Sequence, residues 1–227
     1  MKWYFCYPNF NKKRLVAVVY QKYLPKDVEI FIWRVEEPAS FFLNKLRLSP
    51  KEKAQIARLK GKRKLEWLAS RYLLHLMSGR AVRGACIKDQ FGKPHLENSD
   101  YHISFSHSSD LVTVIASPFV VGIDIQHFVG KIERIAHKFM NEKEKKSLTV
   151  GSELAHLHVY WGAKEAIYKG YGRKQLDFRQ NILISPFPFN EKGGEFSGQL
   201  KKNALNCHFK LEYEFFDGFT LVYAVEK

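Results

Sequence analysis

No stretch of this chain approaches the roughly 18 consecutive apolar residues that a membrane span requires, so no transmembrane helix is expected. Cysteine is scarce. Cys6, Cys86 and Cys207 are odd in number, far apart and free of any CxxC spacing, which argues against a disulfide or zinc framework. They read as small, buried, reduced thiols in a cytoplasmic protein. The segment from Met1 to Pro8 has too short an apolar run for a secretory signal and lacks a small-residue cleavage site. Low-complexity tracts and long linkers are missing too. Acidic residues are in deficit, with 23 Asp and Glu against 37 Lys and Arg, leaving a formal charge of +14. That imbalance implies a polyanionic partner: a nucleic acid, a phosphorylated cofactor or an acidic protein. A basic, well-solvated surface is the plain alternative.

The 227 residues suffice for a substantial core, as one domain or two small ones. Val28 to Val35 alternates faces as a strand does. Ser49 as N-cap, Pro50 at N1 and Glu52 at N3 form a capping box that opens a helix running toward Gly61. A longer helix follows through Leu65, Leu68, Tyr72, Leu76 and Met77 and stops near Gly79. Phe91-Gly92-Lys93-Pro94 reads as a turn. Strands at 102–105 and 111–116 flank Ser106-His107-Ser108-Ser109-Asp110, and Ser117-Pro118 turns the chain into another strand. The tail reads as a hairpin: Phe209, Leu211, Tyr213 and Phe215 alternate, Asp217-Gly218 turns, and Leu221, Tyr223 and Val225 alternate again.

The second half resembles the first. Asn141 to Lys145 echoes Ser49 to Lys53 at an offset of 92 positions, and the Trp161 helix echoes the Trp67 helix at an offset of 94. The expectation is an α+β (α/β) protein of two similar halves, residues 1–116 and 117–227, joined near Ser117-Pro118.

Two pieces of the second half carry chemistry. In Gly122-Ile123-Asp124-Ile125-Gln126, β-branched residues flank a single acid, which places Asp124 on a strand. In Trp161-Gly162-Ala163-Lys164-Glu165-Ala166-Ile167-Tyr168-Lys169, helical spacing puts Trp161, Glu165 and Lys169 one turn apart on one face. A strand Asp, a helix Glu and two neighbouring lysines suit a magnesium diphosphate: the carboxylates hold the hard cation and the lysines hold phosphate oxygens. Taken singly, each residue has a plainer account. A lone strand Asp is commonly a turn or edge residue, and Glu165 is spaced to pair with Lys169 at i,i+4.

Together the two pieces resemble the signature of the 4′-phosphopantetheinyl transferases. Chain length, the apparent duplication, Gly92-Lys93-Pro94 and Ser106-His107-Ser108 point to the surfactin-synthetase-activating type. That resemblance implies a monomer built as an internal pseudo-dimer of two small sheets packed with helices. It implies transfer of 4′-phosphopantetheine from coenzyme A to a serine of an apo acyl or peptidyl carrier protein, with release of 3′,5′-ADP. It also implies magnesium held by Asp124 and Glu165, with the amide of Gln126 as a further ligand where many members carry Glu. Lys164 and Lys169 would contact the diphosphate. Arg63, Arg71, Lys93, Ser106 and His107 would hold the adenosine and its 3′-phosphate, placing that moiety on the N-terminal half. Arg63 or Arg71 could instead pair with Glu66. By its place in the family pattern, the resemblance would make Glu144 the acid that deprotonates a water or the attacking serine. Asn141 and Glu144 also form a capping box that needs no catalysis, and the two readings stand side by side.

The +14 charge fits an acidic carrier-protein partner, with segment 127–144 as the expected docking region. Neither nucleic acid nor membrane is expected as a partner: no nucleic-acid-binding motif is visible, and the basic clusters lie on amphipathic helices. Two competing readings remain. One is a degenerate relative that binds coenzyme A or a carrier protein without transfer, suggested by Gln126. The other is a basic nucleic-acid-binding protein.

Overall fold

The structure is a computed structural model and describes residues 17–227; Cys6 and the Met1–Pro8 segment lie outside the described residues. The first half begins with strands β1 (Val18–Leu24) and β2 (Val28–Arg34). Helices α1 (Ala39–Lys45), α2 (Pro50–Ile56) and α3 (Gly61–Ser78) follow, then strands β3 (Cys86–Lys88), β4 (Pro94–Leu96), β5 (His102–Ser108) and β6 (Leu111–Ser117). The second half runs β7 (Val121–His127), α4 (Lys131–Phe139), α5 (Glu142–Lys146), α6 (Glu153–Tyr171), β8 (Ile182–Ile184), β9 (Gly194–Lys202), β10 (Leu205–Phe216) and β11 (Phe219–Glu226).

Two antiparallel sheets result, with orders β1-β2-β6-β5-β4-β3 and β7-β11-β10-β9-β8. Leaving out β1, both sheets are the same construction: one strand, three helices, then four strands that return in the same spatial order. Each sheet buries one face under its long helix. Leu68, Leu73 and Met77 of α3 meet Phe31, Ile103, Val112 and Val114; Val159, Ala163 and Ile167 of α6 meet Leu211 and Val222. The remaining faces pack on each other through Ile30, Ile32, Leu111 and Ile115 against Ile123, Ile125, Leu221 and Tyr223. Strand periodicity makes this possible, since alternate residues of β2, β6, β7 and β11 serve different cores.

Both capping boxes form. The Ser49 side chain accepts from Glu52 N and the Asn141 side chain from Glu144 N, while each Glu carboxylate accepts the backbone N–H of its N-cap. Gly79 and Gly172 end α3 and α6 in left-handed conformation, which a glycine adopts without a Cβ clash. Asp217 and Gly218, both at positive φ, make the tight tail hairpin.

Two boundaries differ from expectation. Helix α2 stops at Ile56 and not near Gly61, where α3 already starts with Gly61 at positive φ. Strand β5 continues through Ser108, so Ser106 and His107 sit on a strand and not in a turn. The reason is tertiary. The hydroxyls of Ser104, Ser106 and Ser108 accept the N–H groups of Ile123 (3.3 Å), Ile125 (3.2 Å) and His127 (3.1 Å) on β7. The constant offset of 19 residues means that β5 and β7 run parallel along this seam. Serine side chains here satisfy backbone donors on the β7 edge that faces away from β11. No helix among the described residues is long and apolar enough to cross a membrane.

Candidate functional site

Helix α6 lies unusually close to β7, and glycine permits it. A Cβ on Gly122 would sit 1.8 Å from the Ala166 carbonyl oxygen, and one on Gly162 would sit 2.7 Å from Val222 Cγ2. Any side chain at Gly122 would force the helix off the strand. The close approach brings Gly122 and Asp124 under the helix turn that carries Glu165 and Lys169, and strand alternation puts Gln126 next along the same face.

Asp124 is buried. Its Oδ1 accepts from Lys169 Nζ at 2.7 Å and from Ser106 Oγ at 3.0 Å. Lys169 Nζ also donates to Ser106 Oγ (2.9 Å) and to the Ile123 carbonyl (3.0 Å). Lys169 therefore pairs with the strand Asp across the fold; it makes no salt bridge with Glu165, its i,i+4 neighbour. Asp124 Oδ2 turns toward α6, 3.8 Å from the place a Cβ on Gly162 would take. Burial raises the Glu165 carboxyl above its ordinary value, the Asp124 charge raises it further, and Lys169 opposes both. Gln126 Oε1 is buried with no hydrogen-bond partner.

Two mutually repelling carboxylates and an orphaned amide oxygen are a donor set for a hard divalent cation. No group of three or more His, Cys, Asp or Glu side chains that could hold a metal occurs among the described residues. Magnesium needs no such cage, since it keeps waters and phosphate oxygens and takes one or two protein carboxylates. Asp124, Glu165 and Gln126 fit it on those terms.

Beside this cluster opens a cleft of about 600 Å³ shared by the two halves. Helix α3 lines it with Arg63, Glu66, Trp67 and Arg71, β5 with Ser104, Phe105 and His107, and α6 with Tyr168 and Lys169. Lys88, Phe91, Lys93 and Lys174 complete its basic and aromatic wall. Arg71 is its deepest charge, 4% exposed. The guanidinium lies 4.2 Å from the Trp67 ring centroid and 5.1 Å from that of Phe105. Nη1 donates to Ser70 Oγ at 3.0 Å, whereas Nε and Nη2 have no partner. A buried cation with two unmet donors is unfavourable unless an anion meets it. Burial also pulls the Lys88 ammonium down, helped by the Arg71 charge, and burial pulls down Lys93. Lys93 Nζ donates to the Gly170 carbonyl, so a side chain of the first half caps the C-terminal end of α6.

The expected residues thus separate. Arg63, Arg71, Lys93, His107 and Lys169 line the cleft, Asp124 and Glu165 stand together beside Lys169, and Gln126 lies two residues beyond Asp124 on β7. Neither arginine pairs with Glu66, which instead meets His107 Nδ1 at 3.3 Å and Lys62 at 3.9 Å. Three residues depart from expectation. Lys164 is fully buried, its Nζ donating to the carbonyls of Phe178 and Ile182 (2.7 Å each) and pairing with Glu144 at 2.9 Å. Glu144 is equally buried: Oε2 accepts the Asn141 N–H and Oε1 the Ile184 N–H, both at 2.9 Å. Lys164 and Glu144 therefore form an internal tie between α5, α6 and β8, outside the cleft. Ser106 is likewise absent from the cleft lining, its hydroxyl engaged by Asp124, Lys169 and Ile125. Lys88, Trp67, Phe105 and Lys174 line the cleft without a signal in the sequence. Lys88 and Lys174 have no motif around them, and Trp67 and Phe105 read as ordinary core.

Residues 120–224, which carry Asp124 and Glu165, match the model of the 4′-phosphopantetheinyl transferase superfamily. No curated protein matches the chain. The matched stretch covers β7 almost to the end of β11, so the second half is similar to a transferase superfamily, while the first half contributes the buried Arg71.

Proposed function

We propose that this protein transfers the 4′-phosphopantetheine group of coenzyme A to a serine hydroxyl of an apo carrier protein, releasing 3′,5′-ADP. The observation that carries the reading is the placement of Arg71. Arg71, with two unmet donors, lines a cleft rich in cations that reaches Lys169, the partner of Asp124. One end therefore suits a terminal phosphate, and the other suits a metal-bound diphosphate. Arg71, Arg63, His107 and Lys93 would hold the adenosine 3′-phosphate. Lys169, fixed by Asp124 and Ser106, would present its ammonium to the diphosphate. Magnesium bound by Asp124, Glu165 and Gln126 would neutralise charge that develops on the diphosphate as the bond to the leaving ADP breaks.

The reaction is phosphoryl transfer, in which positioning and charge neutralisation do most of the catalysis. Helix α6 packed on Gly122 sets the spacing of Glu165 and Lys169 from Asp124. In this reading residues 1–116 serve the adenosine side and 117–227 the metal side. The protein acts as a monomer of the surfactin-synthetase-activating type in the cytoplasm, with segment 127–144 meeting an acidic carrier protein. The buried Lys164–Glu144 pair lies outside the cleft, which argues against Glu144 as the group that accepts the serine proton.

The test is intact-protein mass spectrometry of apo carrier proteins incubated with this protein, coenzyme A and magnesium. A mass gain of one phosphopantetheine, lost with EDTA and with Asp124→Ala, supports the reading. Binding of coenzyme A without any gain on several carrier proteins would favour a binder without transfer, the alternative that Gln126 suggests.

A further inference from the structure

Ser106 stands on the first half and spends its whole hydroxyl on the second. Its Oγ accepts the Ile125 N–H (3.2 Å) and Lys169 Nζ (2.9 Å), and donates to Asp124 Oδ1 (3.0 Å). A hydroxyl has one hydrogen to donate and two lone pairs to accept with, so all three are used. At 6% exposure it has no room for a ligand of its own. Ser104 and Ser108 make the same seam bond to β7, and neither reaches a carboxylate. The seam therefore offers an internal comparison: three serines share one structural task, and one of them touches Asp124 as well.

We propose that Ser106 is a positioning residue for the metal carboxylate. With Lys169 it occupies Oδ1 of Asp124, which leaves Oδ2 turned toward α6, where Glu165 stands. The serine that resembles a nucleotide contact in sequence thus acts through Asp124, and the first half sets the geometry of a site built on the second. This inference rests on the proposed magnesium site. It gives that site a dependence on the contact between halves that the residues of the second half alone do not have.

The experiment is titration of the full chain with Mn²⁺ followed by electron paramagnetic resonance, with neither coenzyme A nor carrier protein present. Ser106→Ala is expected to weaken Mn²⁺ binding about tenfold, the usual effect of removing a hydrogen-bond partner from a metal ligand. Ser104→Ala and Ser108→Ala should stay within about twofold of wild type, and Ser106→Thr, which keeps a hydroxyl, should retain binding. Ser106→Cys, near in size and weak in hydrogen bonding, replaces Ser106→Ala if that protein does not fold. Equal affinity across the three seam variants would overturn the inference alone, provided that Asp124→Ala abolishes binding. Wild-type protein that binds no Mn²⁺, or Asp124→Ala that binds as wild type does, would overturn the metal reading and this inference with it.

Discussion

Glu52 and Glu144 occupy the same position in the two halves. Each is the N3 carboxylate of a capping box, each is fully buried, and each accepts the N–H of the strand that follows its long helix, Cys86 in one case and Ile184 in the other. Each also holds one buried cation, Arg83 or Lys164. Only the second half carries the proposed metal cluster, so a role that both carboxylates share is structural. Glu144→Ala should therefore strand the Lys164 ammonium and destabilise the protein by about 3–5 kcal/mol, measured by chemical denaturation. The double variant Glu144→Ala/Lys164→Met should recover much of that loss. A Glu144→Ala protein of unchanged stability with abolished transfer would restore the catalytic reading.

Arg71 makes the opposite prediction. Its unmet donors add nothing to the unliganded fold, so Arg71→Met should leave stability nearly unchanged. Charge-assisted bonds of about 1.5–3 kcal/mol would be lost on binding, which raises the Kd for coenzyme A roughly 10- to 100-fold. Calorimetry with 3′-dephospho-coenzyme A locates the missing contact. That ligand should bind the variant and the wild type alike, and an equal loss for both ligands would place Arg71 on a different group.

Gln126→Glu would put a third negative charge beside Asp124 and Glu165, where an amide oxygen now stands without a partner. The magnesium concentration for half-activity should fall, and by less than Asp124→Ala disturbs it, because one ligand of several changes. A Gln126→Glu protein as inactive as Asp124→Ala would count against the proposed ligand set.

Glu29 gives a pH dependence remote from the cleft. Burial, with the Asp27 charge adding to it, pushes its carboxyl up to about 7 from the ordinary 4.5. Above the ordinary value the unfolded chain loses this proton while the folded chain keeps it. The contribution of Glu29 to stability is therefore complete at low pH and is lost as pH rises from 4.5 through about 7. Glu29→Gln should flatten that fall and stabilise the protein at pH 8 by on the order of 1–3 kcal/mol, read from denaturation curves across pH. An unaltered pH profile would show that Glu29 does not titrate in this way.

Local patterning makes much of this protein legible in its sequence. Capping boxes, glycine stops and the Asp217-Gly218 hairpin are written within a few residues, and so is the one-turn spacing of Glu165 and Lys169. Distance in sequence and the choice of face set the limit. Ser106-His107-Ser108 looks like one motif, yet strand alternation sends His107 toward Glu66 on α3 and Ser106 toward Asp124 on the other half. Lys164 and Glu165 are adjacent, and helix geometry turns them about 100° apart. One lies buried against Glu144 and the other beside Asp124. Because α6 is buried on most of its circumference, its periodicity does not reveal which lysine faces the cleft. The elements, their duplicated order and the spacing of Glu165 from Lys169 depend on neighbours a turn or a strand away, so the order of residues is enough to specify them. Membership of the cleft is a tertiary matter. It depends on how closely α6 settles on Gly122 and on which edge of β7 the serines of β5 meet, and both bring together residues far apart in the chain.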